Sequence, residues 1–256
     1  MIKRSSWSIP YLVFMLVFVV LPLLLIVLYA FQDATGRFTF SNITHFFSDS
    51  DSLSTFAVSI EVAIENTLIC ILLGYPAAWI LANQKYNSSA VTVVLFLMPM
   101  WINALMRTLA TAELFDMLDV PLGKGTLLFG MAYDFLPFMI YPIYNTLKKM
   151  DKSYAEAAED LGAAPWTVFW KITVPLSLPG VMSGVLMVFM PTVSTFAISE
   201  FLTNNKIKLF GTIIQENINS SMWNYGAALA FIMLVIIGIT TLFQGADQTD
   251  AEGGVI

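Results

Sequence analysis

Residues 10–31 read PYLVFMLVFVVLPLLLIVLYAF, 22 residues without a charge. A helix crossing a bilayer needs about 20 predominantly apolar residues, so this stretch predicts a membrane helix. Lys3 and Arg4 precede it, as in the basic start of a signal peptide. The run is too long for a signal core, and no small-residue cleavage site follows it cleanly, so it reads as the first span. The rest of the 256-residue chain has the same character. It is 57% hydrophobic and 12% charged, with mean hydropathy +0.75, whereas a soluble domain is about 25% charged. Apolar side chains in such excess face lipid.

Five further apolar segments follow at 65–82, 90–110, 127–147, 178–199 and 226–243. The expectation is an all-α membrane protein of six transmembrane helices, forming one domain over residues 1–243 with an acidic tail at 244–256. Pro22, Gly74, Pro76, Pro99, Pro137, Pro142 and Pro191 fall inside spans, which tolerate them because neighbouring groups re-satisfy the freed backbone. Lysine and arginine in short loops set the orientation. With the N-terminus in the cytoplasm, Lys3, Arg4, Lys85, Lys148, Lys149, Lys152 and Lys171 are inside, and Arg37, Arg107, Lys124, Lys206 and Lys208 are outside or near the outer interface. The split is seven to five. The outer loop, 32–64, is polar at first and then reads as a short surface helix over 52–64.

The composition excludes several functions. The net charge of −6 argues against nucleic acid. The single cysteine, Cys70, and the single histidine, His45, cannot build an intramolecular disulfide or a cysteine or multi-histidine metal site. No serine–histidine pairing, cofactor loop or GxxxxGK[ST] phosphate loop is present, so no catalytic residue and no bound cofactor is expected. A secondary transporter needs ion-coupling groups inside the membrane. The spans offer only Asp134 and the edge residues Glu65, Arg107 and Glu200.

The loop over 148–177 holds the most specific pattern. It runs Lys148-Lys-Met-Asp-Lys-Ser-Tyr-Ala-Glu-Ala-Ala-Glu-Asp-Leu-Gly162, then Ala163-Ala-Pro-Trp-Thr-Val-Phe-Trp-Lys-Ile172-Thr-Val-Pro175. Ser153 with Glu156 predicts a capping box and a helix from Tyr154, and Gly162 predicts its left-handed end. Tyr154, Ala157, Ala158 and Leu161 then share one face, with Glu156, Glu159 and Asp160 opposite. Pro165 suits the start of a second short helix, and Pro175 and Pro179 punctuate the return to the membrane. Such a helix can lie on the membrane, pack beneath the bundle, or dock into a partner's groove. Its acidity and small residues suit docking.

Glu156-Ala157-Ala158, Gly162, Ile172 and Pro175, at this spacing, resemble the EAA signature of ABC importer permeases. Val174 departs from it, standing where leucine is usual. The resemblance implies a type I importer fold in a bacterial inner membrane. It implies coupling helices at these residues, docked on a cytoplasmic ATPase. ATP and magnesium would sit on that partner. Two ATPase copies, a second homologous permease and an extracytoplasmic binding protein complete the implied assembly.

The segments Leu73-Gly-Tyr-Pro-Ala-Ala-Trp79, Pro99-Met-Trp101-Ile-Asn103-Ala-Leu-Met-Arg107, Leu136-Pro-Phe-Met139 and Leu147-Lys-Lys-Met-Asp151 resemble the spermidine and putrescine permeases, the first of the two in such a system. That resemblance covers about residues 10–243. The acidic tail and a short outer segment after Arg107 depart from it. Related permeases for iron(III), sulfate or molybdate share part of these motifs. A polyamine needs carboxylates for its ammonium groups and aromatic faces for cation–π contact. Trp101, Asn103, Glu200 and Asp134 are the candidates to line its path.

Overall fold

The computed structural model describes residues 9–83 and 90–252. Lys3, Arg4 and Lys85, used in the charge argument, lie outside them. The helices are α1 (Pro10–Ala30), α2 (Ser41–Ser48), α3 (Ser50–Ala82), α4 (Ala90–Leu97), α5 (Ala104–Met117), α6 (Lys124–Lys149), α7 (Ser153–Asp160), α8 (Pro165–Ser194), α9 (Ala197–Thr203), α10 (Phe210–Asn219) and α11 (Trp223–Glu252). Among the described residues one isolated bridge, Gln32 with Phe38, is the only extended pairing. Four helices, α1, α3, α6 and α8, are long and apolar enough to cross a membrane. The bent pair α4 and α5 makes a fifth if it is one span, and the apolar part of α11, Trp223–Ile239, is shorter. Residues 56–212 form one compact unit, and 1–55 with 213–256 form another.

In the unit over residues 56–212 α6 is the hub. Leu127, Met131, Asp134, Met139, Ile140, Ile143 and Leu147 are buried along it. Its closest neighbour is α8, and the approach is set by Gly180 and Gly184, a small-xxx-small pair that lets helix backbones meet. A Cβ added at Gly184 would stand 2.7 Å from Met139 Sδ and 3.2 Å from the Met139 carbonyl oxygen. At Gly180 it would stand 2.5 Å from Thr146 Oγ1. Buried polar groups tie other helices together. Asn66 Nδ2 donates to Thr192 Oγ1 (2.9 Å), Tyr75 and Ser177 share a hydroxyl bond (2.8 Å), and Thr126 Oγ1 donates to the Leu202 carbonyl (2.8 Å). Each such bond contributes on the order of 0.6 kcal/mol within a membrane.

In the other unit α1 packs against α11 yet buries none of its most apolar window, as a lipid-facing helix does. The loop after α1 is tied by side-chain amides. Asn224 Nδ2 donates to the Gln32 carbonyl (2.9 Å), and Asn42 Nδ2 donates to the same oxygen (2.8 Å). The Thr35 hydroxyl and the Arg37 amide donate to Asp33, holding its carboxyl below the usual range.

Three expected boundaries change. The separate surface helix over 52–64 does not form, because Asp49 caps Asp51 and Ser52 and starts one 33-residue helix. The span at 90–110 is broken: α4 ends in a 3-10 turn at Met98–Trp101, Ile102 is extended, and α5 leaves at 90°. The expected short helix at Pro165 and the span at 178–199 are one helix. A π turn at Phe169–Thr173 accommodates Pro175, which would otherwise clash with the carbonyl four residues back. That helix stops at Ser194, because Thr195 is extended, and α9 restarts at Ala197.

Candidate coupling and transport sites

The loop between α6 and α8 is built around α7. Its start is not the expected capping box. The Ser153 amide donates to Asp151 Oδ1 at 2.9 Å, and Ser153 itself lies inside the helix, leaving its side chain no N-cap role. This bond, with the Ser153 side chain, holds the Asp151 carboxyl below its usual range. The end of α7 is a Schellman turn. Gly162 has φ +83°, its amide donates to the Glu159 carbonyl (2.9 Å), and the Ala163 amide donates to the Ala158 carbonyl (3.0 Å). Nothing lies within 4 Å of a Cβ built at Gly162, so the glycine answers to backbone conformation alone.

The face that the spacing predicts is open. Leu161 is 89% exposed, Tyr154 and Ala157 are exposed, and Ala158 is half-buried. Glu156 lies on the first turn, beside a cleft of about 280 Å³ that it lines with Glu159, Trp79, Met150 and Ile172. The structure thus brings Glu156 and Ile172 together. Ala157, Ala158, Gly162 and Pro175 do not line that cleft. Pro175 is exposed on α8. Alongside, Tyr75, Trp79, Trp166, Phe169 and Trp170 line an apolar groove of about 620 Å³.

The four path candidates are dispersed. Trp101 ends the 3-10 turn and is 79% exposed. Asn103 is engaged with the backbone, where its Oδ1 accepts from the Met106 amide (3.3 Å) and caps α5. Glu200 lies half-buried on the first turn of α9, not at the end of a span. Asp134 is buried and paired with Arg107, Nε to Oδ1 at 3.2 Å, and its Oδ2 accepts from Thr108 Oγ1 at 3.2 Å. Among the described residues no hydrogen bond or ion pair joins Trp101 or Glu200 to Asp134.

Sequence reasoning missed two charged groupings. One is the pairing of Arg107 with Asp134, invisible because the two residues stand 27 apart in sequence on different helices. The other is Lys124, whose Nζ meets Glu61 Oε1 at 2.6 Å and Glu65 Oε1 at 2.8 Å. The four-residue spacing of Glu61 and Glu65 on one helix face was a readable signal.

A chain of apolar helices of this kind is matched among known proteins. Residues 4–246 match the family described as binding-protein-dependent transport system inner membrane component. The chain belongs to that family. It is therefore a multi-pass membrane permease of a binding-protein-dependent transport system. It is similar to the spermidine/putrescine transport system permease protein PotB of Escherichia coli K12, 32% identical over 72% of this chain and 74% of the relative. The PotB of Haemophilus influenzae is 28% identical over 87% and 86%, and the PotC of Shigella flexneri 25% over 91% and 92%. A bacterial ABC transporter importing the acidic polysaccharide alginate shares the fold, with TM-score 0.67, 18% identity and 97% and 98% coverage.

Proposed function

We propose that this chain is the permease subunit of an ATP-driven polyamine importer, forming half of the substrate pathway. The observation that carries this reading is the open α7 face ending at left-handed Gly162, in a chain 32% identical to a spermidine/putrescine permease. A small-residue helix face with exposed Leu161 at its tip suits insertion into a groove on a partner. That partner is a cytoplasmic ATPase present in two copies, which binds ATP and magnesium. Glu156, Ala157, Ala158, Gly162, Ile172 and Pro175 form or support the contact. The N-terminus and the α7 loop lie in the cytoplasm. A second homologous permease supplies the other half of the pathway, and an extracytoplasmic binding protein delivers substrate. The chain itself is not an enzyme.

On the pathway, exposed Trp101 offers an aromatic face, and Glu200 and Asp134 offer carboxylates. Asn103 acts by holding the break that presents Trp101. The test is uptake by proteoliposomes holding this chain, the second permease and the ATPase, with binding protein and ATP. Spermidine, putrescine, iron(III), sulfate and molybdate form the panel. ATP-dependent uptake of spermidine or putrescine is expected. Uptake by the chain without the ATPase, or of an anion only, contradicts the reading.

A further inference from the structure

Arg107 and Asp134 are the only charged side chains among the buried ones of the described residues, at 6% and 2% exposure. Both sit in helices read as membrane segments, where an ionisable group is costly and marks a substrate or ion pathway. Asp134 lies seven residues into the apolar stretch 127–147. At the helical rise that is about 10 Å, a third of a ~30 Å hydrocarbon core.

The pair is poorly made. Nε and Oδ1 are 3.2 Å apart, yet neither atom is aligned for a hydrogen bond. Arg107 Nη1 has no partner, and Nη2 reaches only the Asp134 carbonyl at 3.5 Å. A buried ion pair adds stability only when its remaining donors are satisfied. The guanidinium also stacks 5.6 Å from the centroid of the Tyr133 ring. Carboxylate, the Thr108 hydroxyl and an aromatic face are together the set of groups that holds an alkylammonium ion. Arg107 occupies that set from α5, one turn beyond the 90° break, so the helix carrying it is not continuous with α4.

We infer that Asp134 is an ammonium site for the substrate whose resting occupant is the Arg107 guanidinium, and that an incoming polyamine displaces it. The inference rests on the polyamine reading above. An alkylammonium brings three donors to Asp134, to replace a guanidinium that leaves its own donors unmet. The arginine keeps the buried carboxylate from standing empty between transport events and lowers the apparent affinity by the fraction of time it occupies the site.

The test is equilibrium binding of labelled spermidine to the complete transporter in nanodiscs, without binding protein. Arg107→Gln is expected to bind about tenfold more tightly than the parent, because the competitor is gone. Asp134→Asn is expected to bind about tenfold more weakly, and adding Arg107→Gln to it should give no further gain. An unchanged affinity for Arg107→Gln, or a gain that survives in the Asp134→Asn background, overturns the inference. Should Arg107→Gln fail to assemble, amide exchange of residues 104–112 in the parent decides. Spermidine should speed it as Arg107 withdraws, and unchanged or slower exchange overturns the inference. A parent that binds no spermidine but transports another solute defeats the polyamine reading itself. A parent that binds spermidine while Arg107→Gln matches it defeats only the displacement.

Discussion

Gly162 and Gly184 are the same residue used for opposite reasons. Gly184 has ordinary helical neighbours in sequence and no room in space, with Met139 against it. Gly162 has nothing within 4 Å of a Cβ built on it and a backbone at φ +83° that L side chains rarely adopt. The first belongs to the α6–α8 seam, where two spans are held together. The second belongs to the end of α7, the helix whose exposed face we propose docks on a partner. A substitution at the seam is therefore expected to act on the folded state, and one at the α7 exit on partner binding.

The largest effect expected is Gly184→Val. The added atoms meet Met139 side chain and backbone, and overpacking costs about 1–3 kcal/mol. The yield of monodisperse, detergent-purified chain should fall more than tenfold, read by size-exclusion chromatography. Full yield would mean that α8 slides freely on α6 and that the contrast does not hold. Gly162→Val comes next. The left-handed conformation costs a β-branched residue roughly 1–2 kcal/mol, which reshapes the exit without touching the seam. Yield should stay at the parental value while pull-down of the partner ATPase falls about tenfold. Gly162→Asn, which tolerates that conformation, should recover most of it.

A smaller effect separates the two residues at the start of α7. Asp151→Ala removes the acceptor for the Ser153 amide and should weaken the first turn by about 1 kcal/mol, seen as a severalfold loss of ATPase pull-down. Ser153→Ala should leave pull-down within twofold, because Ser153 is not the cap. The reverse ranking would restore the capping box. The smallest effect is that of pH. Asp151 is depressed by its bonds to Ser153, so its contribution is fully present above the unfolded value and fades as pH falls through the lower folded value. Pull-down should thus not change through Asp151 between about pH 5 and pH 8.

The loop was legible because its signals are local. Gly162 ends a helix by a rule that needs only its neighbours, and Tyr154, Ala157 and Leu161 share a face by period alone. The start was misread because Asp151 reaches the Ser153 amide, the one that the Glu156 side chain would serve in a capping box. The third span was misread for a similar reason. Hydropathy runs smoothly through 90–110, but Pro99 and Asn103 together stop one helix and cap the next. Asn103 is an ordinary N-cap residue, and its spacing from Pro99 was the available signal. Asp134 looked like a free carboxylate because nothing in sequence brings Arg107, 27 residues away, to its side.

The most direct test of the account is contact between the α7 face and the ATPase. A photo-reactive side chain placed at exposed Ala157 in the assembled transporter is irradiated, and the products are weighed by mass spectrometry. The account predicts an adduct of this chain with one ATPase subunit, in a yield that differs between ATP-bound and ATP-free transporter. An intact complex that yields no such adduct, or links Ala157 only to lipid, contradicts it.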